Sequence, residues 1–230
     1  LAIIIGTVLA PFLSEMCSRN YVITTIFCLG FAVVGVATSL PIKATPPAGS
    51  QRRASWFFLR DIWRTLRGIR KDRYLFMAVL ASAYFLMLGA YMQFNLIPYG
   101  IEALGLSQES GSYLFLFAAI GIAAGALLSG WLSGRNVELG VVPMGAIGLT
   151  AAALALGADV ESLFTVRALI FLMGLSSGLF IVPIQAWIQF RSPSDRRGEI
   201  LAASSFLSWI GVLVAAGLIY TFTDVLGLTA

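Results

Sequence analysis

Histidine is absent from this 230-residue sequence, and cysteine is scarce. Without histidine the chain lacks the commonest general base and the commonest metal ligand. The two cysteines, Cys17 and Cys28, have neither the spacing of metal ligands nor the pattern of a disulfide framework. These absences exclude metalloenzyme, Ser-His-Asp and Cys-His chemistry within the chain. We therefore expect a protein that is not an enzyme and that needs no cofactor and no metal.

Charged residues are also few. They make up 11% of the sequence, against 59% hydrophobic residues, and the mean hydropathy is +0.90. A soluble domain carries roughly 25% charged residues, because water must wet its surface. The chain therefore cannot cover a water-facing globule of its own size, and lipid is the solvent for most of it.

Six apolar runs approach the roughly 20 residues that a helix needs to cross a bilayer core of about 30 Å. The runs are continuously apolar rather than alternating, which favours helices over barrel strands. A further run, 1–13, is too short to span and begins at Leu1 without a signal-peptide pattern, so we interpret the sequence as a fragment of a longer protein. The six runs are 21–40, 74–97, 111–133, 139–157, 162–189 and 199–223.

The basic residues lie in alternate gaps between these runs. Of the 15 lysines and arginines, nine lie in 41–73, one in 134–138 and three in 190–198. By the positive-inside rule these gaps face the cytoplasm, which predicts a multi-pass protein of the cytoplasmic (inner) membrane. This topology explains a pI near 9.3 without a nucleic-acid partner.

The long gap 41–73 has two parts. Residues 41–54 form a linker that contains Pro, Gly and Ser, and residues 55–71 predict an amphipathic helix in the headgroup layer. The segment is either a connector that rests on the membrane or a regulatory or docking element. Its predicted apolar face is Trp56, Leu59, Ile62, Trp63, Leu66 and Ile69, and its basic face is Arg60, Arg64, Arg67 and Lys71.

Small residues recur at helix-packing spacing in three of the runs. In lipid such residues permit close backbone approach, in a static interface or in a sliding one. The small residues are Gly121, Gly125 and Ser129, then Gly174 and Gly178, then Gly211, Ala215 and Gly217.

Two other local patterns concern the ends and the bending of helices. The stretch Ser192-Pro193-Ser194-Asp195 predicts a helix start with Ser192 as the N-cap. Pro183 predicts a bend or a hinge in its helix.

The loop Gly130 to Gly140 resembles the short cytoplasmic loop of the major facilitator superfamily, with the pattern Gly-x-Leu-x-Asp-Arg-x-Gly-Arg. Gly130, Leu132 and Arg135 match it, whereas Gly134, Val137 and Glu138 replace the acid, the second glycine and the later arginine. The resemblance implies an all-α membrane protein, a major-facilitator-type helical bundle, with about six full transmembrane helices and one interfacial helix. It also implies gating positions at Gly130, Arg135 and Glu138.

Three stretches, 82–95, 132–140 and 182–203, resemble the bacterial lysophospholipid transporter branch of that superfamily, which also occurs fused to an acyltransferase and an acyl-ACP synthetase. On this resemblance, residues 1–40 are the end of helix 5 and helix 6. Residues 41–73 link the two halves, and 74–230 hold helices 7–11 without helix 12. The implied partners are lysophospholipid, membrane lipids and acyltransferase or synthetase domains outside this chain.

Moving a lysophospholipid requires an apolar environment for its tail and a polar or watered path for its head. Uncharged hydrogen-bonding groups amid apolar walls suit the head, although each is equally explained by an interhelical hydrogen bond. Arg167, a charge inside a span, is either an interface anchor or a phosphate contact. We predict substrate contacts at Tyr84, Gln93, Asn95, Gln185, Gln189, Ser205 and Arg167.

No Asp or Glu lies deep in any run, so we expect passive, gradient-driven transport. Two alternatives remain: a transporter of another amphipathic small molecule, or a non-transporting membrane anchor for an acyltransferase.

Overall fold

The computed structural model describes residues 21–42, 57–134, 136–158 and 162–227, and the chain divides into two compact units, 1–50 and 51–230. All regular structure within the described ranges is helical, which confirms the all-α membrane fold. The first unit contains α1 (Tyr21–Ser39), which is apolar and has exposed side chains from Thr25 onward. The hydroxyls of Thr38 and Ser39 donate to carbonyls of the same helix, so the polar end of α1 is satisfied locally.

The second unit contains seven helices within its described residues, followed by a π-helical turn at Thr221–Val225. Four segments are long and apolar enough to cross a membrane: Arg73–Glu102, Ser110–Ser133, Leu163–Arg191 and Arg197–Thr223. Val141–Leu156 and Thr25–Ser39 are apolar but shorter. Each of the six predicted spanning runs is therefore helical where the structure describes it, although only four reach spanning length, and the run 1–13 lies outside the described residues. The helices are α2 (Phe58–Ile69), α3 (Arg73–Glu102), α4 (Gln108–Ser112), α5 (Leu114–Ser133), α6 (Val141–Leu156), α7 (Leu163–Arg191) and α8 (Arg197–Tyr220).

Helix α7 packs against both α5 and α6, whereas α3 packs mainly against α8 and, less extensively, against α7. The closest approach is between α5 and α7, where glycines of each helix lie on the backbone of the other. A Cβ at Gly125 would overlap the carbonyl of Leu175, and a Cβ at Gly178 would lie 2.5 Å from the backbone nitrogen of Ala126. The predicted small-residue interface is thus confirmed for these two helices.

Glycines also set the spacing of the other helix pairs. A Cβ at Gly145 of α6 would lie 2.7 Å from the Phe180 nitrogen, and one at Gly211 of α8 would lie 2.8 Å from the Ala83 oxygen. Among the residues that the structure describes, Gly217 has no atom within 4 Å of the corresponding position, so its predicted place in an interface is not found there.

One end of the second unit, hereafter the basic end, joins the starts of α3 and α8 to the end of α7. Asp72 caps α3 by accepting a hydrogen bond from the Leu75 N–H at 3.3 Å. The same carboxylate accepts a hydrogen bond from Arg191 Nε at 2.7 Å. This contact with the Arg191 guanidinium holds the pKa of Asp72 below its ordinary value. Beneath the polar pair lies an apolar cluster of Ile69, Leu75, Ala78, Val79, Ile184, Ile188 and Ile200.

Helix α2 is anchored to this end. Thr65 and Ile69 are buried, the guanidinium of Arg196 lies 3.7 Å from the Cβ position of Gly68, and the Phe58 ring meets Phe206 edge to face at 6.4 Å. Phe58, at the start of α2, meets residue 206 within α8, whereas Gly68, near the end of α2, lies beside residue 196 just before α8. The two helices therefore run antiparallel. The observed helix is shorter than the predicted 55–71, and residues 43–56 of the predicted linker lie outside the described residues.

The prediction that Ser192 caps the next helix is wrong. Ser192 instead ends α7, where its hydroxyl donates to the Ile188 carbonyl at 2.6 Å. A turn follows, closed by a hydrogen bond of 3.1 Å from the Arg196 N–H to the Pro193 carbonyl, and α8 begins only at Arg197. Asp195 lies in this turn and is exposed, so it cannot act as the first-turn acid of α8.

Candidate functional site

A pair of polar side chains joins α3 to α7 in the half of the bundle that lies nearer to the basic end. Gln185 Nε2 donates a hydrogen bond to Ser82 Oγ at 2.8 Å, and Ser82 is fully buried. One turn away, the rings of Phe85 and Phe180 stack with centroids 5.7 Å apart. Gln185 follows Pro183, which lies buried within α7. The arrangement places uncharged hydrogen-bonding groups next to an aromatic wall.

The side of α3 that carries Ser82 is open farther along the helix. Gly100 lies five turns beyond Ser82 on the same side and is buried, as Ser82 is. Gly89 and Gln93 lie within about 20° of that direction, at 100° per residue, yet both are exposed. Close packing on this side of α3 is therefore interrupted at the level of Gly89 and Gln93.

A second polar stripe follows another side of α3. Tyr84, Tyr91 and Asn95 are spaced by seven and four residues, so they share one side, roughly 180° to 220° from Ser82. Tyr84 is 54% exposed, whereas Tyr91 and Asn95 are half-buried. Gln93 and Asn95, which the sequence pattern grouped together, therefore lie on different sides of the helix. The structure separates the predicted contacts of α3 into two surfaces.

Arg167 lies in the second turn of α7, at the end of the bundle opposite to Arg191. Its guanidinium carbon is 5.4 Å from the centroid of the Phe117 ring on α5, a cation–π contact. Its Nε atom is buried and has no hydrogen-bond partner among the residues that the structure describes. Asp159 and Glu161, the acids nearest in sequence, lie outside those residues. Arg167 thus offers a positively charged group with unused hydrogen-bonding capacity.

The remaining predicted residues lie apart from these groups. Gln189 is exposed one turn beyond Gln185 toward the basic end, and Ser205 is exposed on α8. Gly130 and Glu138 are exposed beside the turn between α5 and α6, where Gly134 has a φ of 54° and donates its N–H to the Gly130 carbonyl. Arg135 lies outside the described residues.

The candidates form a series along the helix axes rather than one pocket. Gln185 lies 18 residues after Arg167 on α7, which is about 27 Å at 1.5 Å per residue. Sequence reasoning identified neither Ser82 as the partner of Gln185 nor Phe117 as the ring beneath Arg167. The sequence did hold a signal that Ser82 belongs to the polar series, because Ser82 lies three turns before Gln93 on the same side of α3. For Phe117 there was none, since its contact with Arg167 depends on how α5 packs on α7.

The model of one family, the Major Facilitator Superfamily, matches residues 1–216 of the chain. The chain belongs to the major facilitator superfamily. No curated protein and no solved structure matches the sequence. Major facilitator proteins are transporters, so this chain belongs to a family of membrane transporters and has several apolar helices. The groups on α3 and α7 of this major facilitator chain are therefore candidates for a transport path.

Proposed function

We propose that this major facilitator chain moves lysophospholipid, of the lysophosphatidylethanolamine type, across the cytoplasmic membrane by alternating access. The observation that carries the proposal is the series of uncharged hydrogen-bonding groups on α3 and α7, Gln93 and the Gln185–Ser82 pair, beside the Phe85–Phe180 stack. The likeness of stretches 82–95 and 182–203 to the lysophospholipid branch supports the same substrate. In such carriers the cavity forms between two repeats, so transport requires both halves.

The physical argument divides the substrate into two parts. Exposing the acyl tail to water costs about 0.8 kcal/mol per CH₂, so the tail stays in lipid or against apolar walls. The zwitterionic head needs hydrogen bonds along its way, which amides and hydroxyls supply without a large desolvation cost. On this path Gln189, Gln185 and Gln93 contact the head at successive levels, and Tyr84, Tyr91 and Asn95 form a second polar surface of α3.

Arg167 binds the phosphate at the end of the path away from the basic end. Its buried Nε has no partner among the described residues, and the Phe117 ring holds the guanidinium in place. A guanidinium is suited to phosphate, because its N–H groups form charge-assisted hydrogen bonds. Binding of phosphate would offset the free-energy cost of keeping the charge of Arg167 within a membrane span.

No proton relay is proposed. Between their end residues, α3, α5 and α7 contain no Asp or Glu, and α8 has one, Glu199, in its first turn. Transport then follows the gradient of lysophospholipid, which reacylation by the acyltransferase and synthetase partners on the inner side would maintain. The basic loops face the cytoplasm in this proposal.

The test is lipid movement in vesicles that contain the protein and fluorescent lysophosphatidylethanolamine. Gln185→Leu and Gln93→Ala are expected to slow transport of the lysophospholipid. Arg167→Gln is expected to slow it too, but to leave a fluorescent monoacylglycerol, which has no phosphate, unaffected. Thr150→Ala is the matched control, because the Thr150 hydroxyl is bound to the Ala146 carbonyl of its own helix.

Each outcome decides between transport classes. Movement of an unrelated amphipathic compound but not of lysophospholipid would overturn the substrate. A protein that moves nothing, with all variants alike, would indicate a membrane anchor for an acyltransferase.

A further inference from the structure

One surface of α2 is not used by the bundle. Residues on the side of Ile62, Thr65 and Ile69 are buried or half-buried against the rest of the second unit. On the opposite side the three arginines of the helix share one face, since their spacing of four and three residues brings them within about 60° of one another. On the flank between the two sides, Leu59 is 57% and Trp63 68% exposed. We call Leu59, Arg60, Trp63, Arg64 and Arg67 the outer surface of α2.

The covalent structure determines what lies next to this surface. Helix α2 ends at Ile69, and α3, which is long and apolar enough to cross a membrane, begins at Arg73. Four Cα–Cα steps reach at most about 15 Å, so the C-terminal end of α2 stays at the membrane boundary. The other end of α2 is held as well, because Phe58 meets Phe206, the tenth residue of α8. Helix α2 therefore lies alongside the first ten residues of α8, where that span begins, and its exposed outer surface faces away from the unit at this level.

The charges determine which lipid fits. Arg60 and Arg67 are exposed, and the one ion pair found for the three arginines in the described structure joins Arg64 to Asp61 at 3.5 Å between exposed side chains. Such a pair contributes little in water. An exposed tryptophan and leucine beside a row of arginines match the glycerol level and the phosphates of a leaflet.

We propose that the outer surface of α2 binds anionic phospholipid. Leu59 and Trp63 contact the upper acyl chains, and the three arginines bind the phosphates. Because Ile69 and Thr65 hold α2 against α3 and α8, this lipid is bound next to the start of both helices. The inference does not depend on which substrate the protein carries.

The test measures quenching of Trp63 fluorescence by brominated lipids, with the full-length protein in phosphatidylcholine vesicles. The emission of Trp63 is obtained as the difference between the protein and its Trp63→Phe variant. Brominated phosphatidylglycerol is expected to quench this emission more strongly than brominated phosphatidylcholine at equal content. Each arginine contributes about fivefold to the preference, so Arg64→Gln should reduce it about fivefold and the triple variant of Arg60, Arg64 and Arg67 to Gln should abolish it.

Arg197→Gln is the matched control, because Arg197 is exposed on the same end of the unit but on α8. It is expected to leave the preference unchanged. Equal quenching by both lipids would overturn the proposal, as would an equal effect of Arg197→Gln and Arg64→Gln, which would indicate general surface potential. Absence of quenching by either lipid would show that Trp63 does not contact lipid, and it would overturn the proposal too.

Discussion

The carboxylate of Asp72 accepts hydrogen bonds from Arg191 Nε at 2.7 Å and from the Leu75 N–H at 3.3 Å. One side chain thus caps the start of α3 and attaches it to the end of α7, 119 residues farther along the chain. The pair lies at the ends of two spans, with 29% of the Asp72 and 51% of the Arg191 side chain exposed, so water weakens it. Its effect is to fix the relative position of two helix ends.

Substitution of Asp72 should separate its two roles. Asp72→Asn keeps an N-cap acceptor and loses the charge pair, which should lower the free energy of unfolding by about 0.2–1 kcal/mol. Asp72→Ala loses the cap as well, for a total of about 1–2 kcal/mol. Thermal unfolding in detergent measures both. Asp61→Ala is the control, because its 3.5 Å pair with Arg64 is exposed on one helix.

The contribution of Asp72 should also depend on pH. The Arg191 hydrogen bond lowers the pKa of Asp72 below 3.8, so the folded state favours the ionised form. The stability that this pair adds is fully present above the ordinary pKa and is lost as the pH falls through the lowered pKa. The unfolding difference between the protein and Asp72→Asn should therefore be constant near neutral pH and shrink in acid. A difference that grows in acid would contradict the ion pair.

The Gln185–Ser82 bond should show measurable coupling. In a double-mutant cycle of Gln185→Met and Ser82→Ala, we expect about 0.6 kcal/mol, and at most about 1.7 kcal/mol, in the free energy of unfolding. Each single change leaves a partner unsatisfied, whereas the double change removes both. Gln189→Met with Ser82→Ala is the control cycle, because Gln189 is exposed one turn away. Equal coupling in the two cycles would contradict the hydrogen bond.

Close packing of α5 on α7 should make Gly125 intolerant of a methyl group. Because a Cβ there would overlap the Leu175 carbonyl, Gly125→Ala should destabilise the bundle by about 1–3 kcal/mol. Gly217→Ala has nothing within 4 Å and should be neutral or stabilise α8 by about 0.5–1 kcal/mol. Unfolding in a denaturant series compares them. If both variants behaved alike, the helices would not be in contact at Gly125.

The ring of Phe117 should stabilise Arg167 specifically. Phe117→Tyr keeps an aromatic face and should preserve stability, whereas Phe117→Leu should lose about 0.5–2 kcal/mol of cation–π attraction. In an Arg167→Gln background this difference between the tyrosine and the leucine variant should vanish. Melting temperatures of the four combinations measure it. A difference that persists without the arginine would mean that Phe117 acts through packing alone.

The orientation can be tested by cysteine labelling in intact cells. With Cys17 and Cys28 changed to Ser, Arg64→Cys is exposed on the outer surface of α2. If the basic end faces the cytoplasm, a membrane-impermeant maleimide should label it in inverted vesicles and not in intact cells. Labelling from outside intact cells would reverse the topology.

One feature of the candidate site could be predicted from the sequence, whereas a helix boundary nearby could not. Gln93 and Asn95 are two residues apart in a predicted helix, so the repeat of 100° per residue alone places them on different sides of α3. Ser192 has the composition of an N-cap, yet it ends α7, because residues 193–196 close a separate turn. For Ser192 the position of the helix boundary, rather than the residue type, determined the outcome.

The sequence by itself determined the solvent and the secondary structure. With 11% charged residues and long apolar runs, the chain can satisfy its backbone in lipid only as helices. The tertiary structure decided which polar groups meet, since the partner of Gln185 is 103 residues away and that of Arg191 is 119 residues away. Composition determines the structure of each segment separately. Contacts between residues distant in sequence depend instead on the angle at which glycine-rich helix surfaces meet and on how closely they approach each other.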